Sequence, residues 1–378
     1  MKEKCSLKKL VLYFLKLGTI GFGGPIALVG YMQRDLQEKR GWITREEYLR
    51  GLTVSQLAPG PLATQLAMYI GYIRYGVLGV SLVALSFIGP SFLMVIAISI
   101  LYIKFGSLFI VQALFYGVGA AVIGIIIASA YKLTKITIKD KRFLWVIFAV
   151  NFLISSITKQ ENIFLIIFSG IITLFIYARP KVSSSKLFSL SPIIPFISFF
   201  TLFNPNLIAK IFIFFALAGV FVFGSGLAIV PFIHGGVVLE NHWLTEKQFI
   251  DAVAVSMITP GPAVITVAFI GFLVAGFWGA VAAGLGVFLP VYLFVVFLAP
   301  IFEKYAKNPK LIAFIQGITA ATTGAIAGAI IVLGEQSIKD ITTVLIVLGA
   351  LISVKKFKIP EPIIIGVAGL LGLILHHV

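Results

Sequence analysis

Two short stretches of glycine and proline interrupt apolar runs, Gly21-Phe22-Gly23-Gly24-Pro25 and Ala58-Pro59-Gly60-Pro61, and uncharged polar side chains gather around them. Ser55, Gln56, Thr64 and Gln65 flank the second stretch. A second set carries Phe223-Gly224-Ser225-Gly226, Ser256, Thr259-Pro260-Gly261-Pro262 and Thr266. A break inside an apolar run leaves backbone groups unpaired, which is tolerated at membrane depth only inside protein or beside a wet cavity. Proline just after a break suits the first position of a new helix, where its missing N–H is not needed. The free N–H groups that follow lie at the positive end of the helix dipole and favour an anion. Neutral hydroxyl and amide donors beside them suit a tetrahedral oxyanion, held by hydrogen bonds without a buried full charge.

The candidate binding positions are therefore Gly23, Gly24, Ser55, Gln56, Gly60, Gln65, Gly224, Ser225, Ser256, Thr259 and Gly261. Arg34 and Arg45, on the charged segment between the first two breaks, are candidates for an anion entrance at the membrane surface. The competing reading is structural: hydroxyls bonded to their own helix backbone, glycines used for close packing, and a solvated charged face. Other chemistries lack their residues. The breaks contain no Asp, Glu or His to act as general base or nucleophile. Cys5 is the only cysteine, which excludes a disulfide framework or a multi-cysteine metal site within one chain. No metal or cofactor is expected, and the chain does not read as an enzyme. Coupling residues are sparse: Glu240, Asp251 and Glu335 are the acidic candidates, and a proton could equally ride on the anion. Lys16, alone in the first apolar run, is expected to snorkel to the surface.

The elements that position these residues follow from composition. With 60% hydrophobic and 12% charged residues and a mean hydropathy of +1.08, the chain is a polytopic all-α membrane protein. Its formal net charge of +16 does not point to nucleic acid, because the cations sit in short segments between apolar runs. The chain also repeats. Sliding it onto itself aligns Phe22-Gly23 with Phe223-Gly224, Trp42 with Trp243, Thr44 with Thr245, and Pro59-Gly60-Pro61 with Pro260-Gly261-Pro262; further on, Pro90 meets Pro290. This gives a repeat over 1–178, a linker over 179–208 that crosses the membrane, and a second repeat over 209–378.

Each repeat is expected to open with two re-entrant or broken helical segments followed by about four spanning helices, in the first at about 77–103, 109–131, 143–157 and 161–178. With a cytoplasmic N-terminus and an inverted second repeat, only Lys104, Lys159, Lys210, Lys247 and Lys339 fall outside. Interrupted helices at matching positions of inverted halves point to a transport site near the midplane. Thr44 with Glu47 and Thr245 with Gln248 predict capping boxes. Trp42 and Trp243 read as interfacial anchors.

The Phe-Gly-Gly-Pro break at 22–25, Trp42-Ile43-Thr44, Ala58-Pro59-Gly60-Pro61 and their second copies resemble the chromate ion transporter family in its two-domain, long-chain form. The resemblance covers nearly the whole chain. It implies a secondary transporter in the cell membrane that moves chromate, typically outward to confer resistance, with sulfate as a related or competing anion. One departure is Gly224-Ser225-Gly226 where the first half has Gly23-Gly24-Pro25. Two other readings stay open, a membrane-embedded lipid-phosphate phosphatase and an anion channel, as does assembly as a homodimer. Membrane lipid and a small inorganic oxyanion are the expected partners.

Overall fold

The computed structural model describes residues 5–22, 24–58, 60–138, 141–159, 162–178, 206–221, 223–224, 229–299, 301 and 308–375. The expected linker crossing lies outside them, as do Gly23, Pro59 and Ser225. Helix α1 (Leu7–Ile20) opens on Ser6, whose Oγ accepts the Lys9 N–H, and closes at Gly21. Next come α2 (Gly24–Met32), continued by wide π turns over Gln33–Lys39, and α3 (Arg45–Leu57). The two-residue strand β1 (Gly60–Pro61) leads into α4 (Leu62–Phe105), then α5 (Phe109–Ile138), α6 (Arg142–Thr158) and α7 (Ile163–Tyr177).

The same series then recurs: α8 (Leu207–Phe221), β2 (Phe223–Gly224), α9 (Ile229–His234) with π turns to Glu240, and α10 (Glu246–Ile258). A single 3-10 turn precedes α11 (Thr266–Leu293), followed by α12 (Pro309–Ser337), α13 (Ile341–Ile352) and α14 (Glu361–Leu375). Both capping boxes form. Thr44 Oγ1 accepts the Glu47 N–H while the Glu47 carboxylate accepts the Thr44 N–H, and Thr245 with Gln248 does the same. Thr44→Ala should destabilise the protein by about 1 kcal/mol, and Thr44→Ser should not. Thermal unfolding in detergent would read the difference, and equal melting temperatures for the two variants would contradict it.

Among the described residues, four helices are long and apolar enough to cross a membrane, at Leu62–Phe105, Phe109–Lys135, Ala263–Leu298 and Pro309–Glu335. Two of these are interrupted. Gly76 stands at φ +58 and Gly276 at φ +62, each after a residue with non-helical angles. Eight residues of straight helix would separate Gly71 from Gly79 by about 12 Å. Instead a Cβ on Gly79 would overlap the Gly71 carbonyl, and Gly279 meets Gly271 in the same way. Residues 62–74 therefore fold back on 77–105 as a helical hairpin, and glycine at both contacts lets the backbones touch.

The two series of helices interlock. Helix α5 packs against α13 and α14, and α12 packs against α6 and α7, while α4 lies along α11. The largest buried cluster joins the middle of α5 to α8–α11, α13 and α14. Large apolar side chains also cover the outside, Leu85 being 70% exposed and Phe164 82%. That is the surface expected where lipid, not water, is the solvent.

Candidate functional site

The breaks converge, each pairing with one from the other half of the chain. β1 runs parallel to β2, with Gly60 opposite Phe223 and Pro61 opposite Gly224. The Gly261 N–H donates to the Gly21 carbonyl at 2.9 Å. Thus the second break of each half rests on the first break of the other, which supplies partners for backbone groups that no helix could satisfy. Gly60 at φ +127 and Gly261 at φ +98 take a conformation that L side chains rarely adopt. Each also faces the residue after a proline set inside a long helix of the opposite half. A Cβ on Gly60 would come within 2.8 Å of Val291 Cγ2, and one on Gly261 would overlap Ser91 Oγ. Ser91 ties this junction together by donating from its Oγ to the Pro260 carbonyl at 2.8 Å.

Around this junction the polar side chains divide. Ser55 and Thr64 are 1% and 0% exposed, and their hydroxyl oxygens have no hydrogen-bond partner among the described residues. A buried hydroxyl left so costs on the order of 1–3 kcal/mol, and orphans of this kind mark a place for a ligand or bound water. Gln65 is buried beside Gly60. In the second half the hydroxyls are committed to their own backbone: Ser256 donates to the Val253 carbonyl, Thr259 to Val255 and Thr266 to Ala263. They retain lone pairs but have no free proton for an anion.

Gln56 is exposed at the end of α3 and does not share the enclosure of Ser55. Gly24, at φ +69, faces the half-buried carboxylate of Glu361, whose Oε1 lies 3.5 Å from where a Cβ would stand. Gly224 lies in β2, while Gly23 and Ser225 lie outside the described residues.

The two arginines lie away from the junction. Arg34 is exposed, bonded through Nε to Asp35 Oδ1 at 3.0 Å and stacked over Tyr31; the Asp35 hydrogen bond raises its pKa further above the ordinary guanidinium value. Arg45 is exposed in the first turn of α3, roughly 20 Å of helix from Gly60. Trp42 corrects an expectation: it is buried at 4% exposed and capped by the Arg40 guanidinium 4.5 Å above its ring, so it packs inside and does not anchor at an interface. Lys16 is exposed on α1, as a snorkelling side chain would be.

Three contributors escaped sequence reasoning. Ser91 and Val291 carried one available signal, their places after the matched Pro90 and Pro290. Glu361 gave none, since its partner is a break more than three hundred residues away. Asp251, one of the three acidic coupling candidates, is 3% exposed and accepts the Tyr102 hydroxyl at 2.6 Å.

The family model for chromate transporters matches residues 8–174 and again 209–373. The chain belongs to the chromate transporter family. A probable chromate transport protein of Synechococcus elongatus is 54% identical over 98% of this chain and 95% of its own length. A chromate transport protein of Cupriavidus metallidurans is 52% identical with the same coverage, and one of Pseudomonas aeruginosa is 29% identical over 97% of this chain. No solved structure matches. The helices and the family together make this a membrane transport protein and not an enzyme. The family match is double, as is the series of helices, and the breaks of each copy are those that meet at the Gly60–Gly261 junction.

Proposed function

We propose that this transporter carries chromate out of the cytoplasm across the cell membrane, with sulfate as a related or competing anion, and holds the anion where the breaks meet. The observation that carries the reading is the junction itself: paired Gly/Pro breaks at helix N-termini beside the buried hydroxyls of Ser55 and Thr64, which have no partner among the described residues. A hydroxyl or backbone N–H can donate to each oxygen of a tetrahedral anion, and no buried cation is needed.

Helix lengths support a re-entrant, inverted arrangement. α1 has 14 residues and α10 has 13, about 20 Å each, and their ends meet at Gly21 and Gly261. Each spans about half of a bilayer with its head groups, so the meeting point falls near the middle. α3 and α8 meet in the same manner through β1 and β2. The lysine distribution supports a cytoplasmic N-terminus, and alternating access follows if one half rocks against the other around the junction.

The test is flux of labelled chromate and sulfate into proteoliposomes holding the purified protein, with a pH gradient imposed and each anion as competitor. Saturable chromate flux reduced by sulfate is the expected result. A folded, inserted protein that moves neither anion would defeat the reading and direct attention to phosphatase activity; flux that does not saturate would indicate a channel. Arg45→Gln should lower chromate flux several-fold at about 0.01 M salt and hardly at all at about 1 M, because a remote surface charge acts only within the screening length. A loss independent of salt would place Arg45 in the site itself.

A further inference from the structure

Two cavities open at opposite ends of α5. One, of about 760 Å³, is bordered by Phe22 of the first break, by Lys132 and Lys135 of α5, by Lys355 and Lys358 after α13, and by Glu361. The other, of about 320 Å³, lies between the start of α5 and α10, with Lys247, Lys339 and Asp251 in its wall and Gly119 of α5 on its floor. Between them residues 121–126 of α5 are buried, a closed stretch of about 9 Å. Helix α5 as a whole packs against α12, α13 and α14 and, less extensively, against α10. Towards α13 and α14 the packing is backbone to backbone: a Cβ on Gly124 would lie 2.5 Å from the Val347 carbonyl, and one on Gly117 would overlap that of Ala368. Towards α10 the seam is looser, a side-chain contact in which Ile250 Cγ2 stands 3.2 Å from a Cβ on Gly119.

We propose that the transported anion travels along α5, from the lysine-lined cavity beside Phe22 to the cavity beside Lys247 and Lys339, by opening of the α5–α10 seam. This route rests on the oxyanion reading above and on the orientation given there, in which Lys132 and Lys355 face the cytoplasm and Lys247 and Lys339 face outward. Charge is distributed as such a route requires. Four lysines against one glutamate draw anions into the inner mouth; two lysines against one aspartate hold them less at the outer one, where release must be easy. Both cavities adjoin the junction's own elements. Glu361 faces Gly24 at the first break, and α10 runs from Lys247 and Asp251 down to Thr259 and Gly261. The Tyr102 hydroxyl, donating to Asp251, ties the outer part of α10 to the end of α4, and its ring packs edge-on against Phe115 of α5, so Tyr102 bridges the two sides of the seam. Tyr116, on the same face of α5, donates to Asp340 and holds that carboxyl below the usual carboxylate range.

The single cysteine makes the route directly testable. In a Cys5→Ser parent, cysteines are placed one at a time at Ala128 in the inner cavity, at Gly119 in the outer one, and at lipid-facing Leu93. Each is treated with a membrane-impermeant thiosulfonate carrying either a sulfonate or a trimethylammonium group, and chromate flux is measured after the reagent is removed. Ala128→Cys should react from the cytoplasmic side and Gly119→Cys from the other. The sulfonate adduct should cut flux at least about tenfold and the cationic adduct far less, since the two are of comparable size and place opposite charges beside the path. Leu93→Cys should be silent. Gln112→Cys and Leu351→Cys repeat the test where a first variant does not fold. Normal parent flux with no charge-dependent effect at any of these cavity positions overturns the route and leaves the oxyanion reading standing. Absence of chromate flux in the parent removes both.

Discussion

Gly261→Ala is expected to reduce chromate flux below about a hundredth of the parent value, a loss of roughly 2.7 kcal/mol, with the protein still inserted. Two costs add at this position. At φ +98 an L residue is strained by about 1–3 kcal/mol. Its Cβ would also overlap Ser91 Oγ and stand 3.2 Å from the Gly18 carbonyl, so either the Ser91 bond to Pro260 or the Gly261 bond to Gly21 must give way. Both bonds hold the ends of the half-helices that form the proposed site. Gly60→Ala should cost less, although its φ is +127, because the nearest atom it would meet is the end of the flexible Gln65 side chain, which can yield, and only the Val291 methyl resists. Combining Gly261→Ala with Ser91→Gly should recover part of the flux by removing the overlap but not the strain. Flux per folded protein, counted from a monodisperse size-exclusion peak, decides the matter. Parent-like flux in both Gly60→Ala and Gly261→Ala would show that the anion does not depend on these breaks.

The second large effect falls on folding. Gly79→Val should abolish recovery of folded protein, a destabilisation of more than about 4 kcal/mol. The new Cβ would overlap the Gly71 carbonyl, and backbone cannot move aside as a side-chain end can. The hairpin of residues 62–74 on 77–105 would have to open, and with it the support for Gly60 and Gln65 at the start of α4. Gly76→Ala makes the informative comparison. Nothing lies within 4 Å of its Cβ position, so only the strain of φ +58 remains, about 1–3 kcal/mol, and the protein should fold with a lowered melting temperature. Fluorescence-detected size exclusion of the two variants would separate overlap from strain. A wild-type elution profile for Gly79→Val would mean that the two backbones do not touch.

Much of this architecture was legible in the chain because it depends on local physics. Apolar runs of spanning length, glycine and proline inside them, and a Thr three residues ahead of Glu47 or Gln248 each act within a turn or two of helix. The expected spanning segments at 77–103, 109–131, 143–157 and 161–178 accordingly lie close to residues 77–105 of α4, to α5 over Phe109–Ile138, to α6 over Arg142–Thr158 and to α7 over Ile163–Tyr177. Trp42 went the other way, since aromatic type favours an interface while here it belongs to a buried cluster with Leu10, Tyr13 and Leu36.

The site was legible only as a list of residue types. Ser55, Ser256 and Thr259 look alike in the sequence, but Ser256 and Thr259 have bonded to their own helix and Ser55 has no partner among the described residues. By itself the sequence determined membrane residence, the repeat and the positions of the breaks, because composition and short-range periodicity are enough for these. Which break meets which, that Ser91 closes on Pro260, and that Asp251 is buried against Tyr102 were decided by tertiary packing alone. Those partners lie 149 and 169 residues apart, and no local preference carries information over that distance.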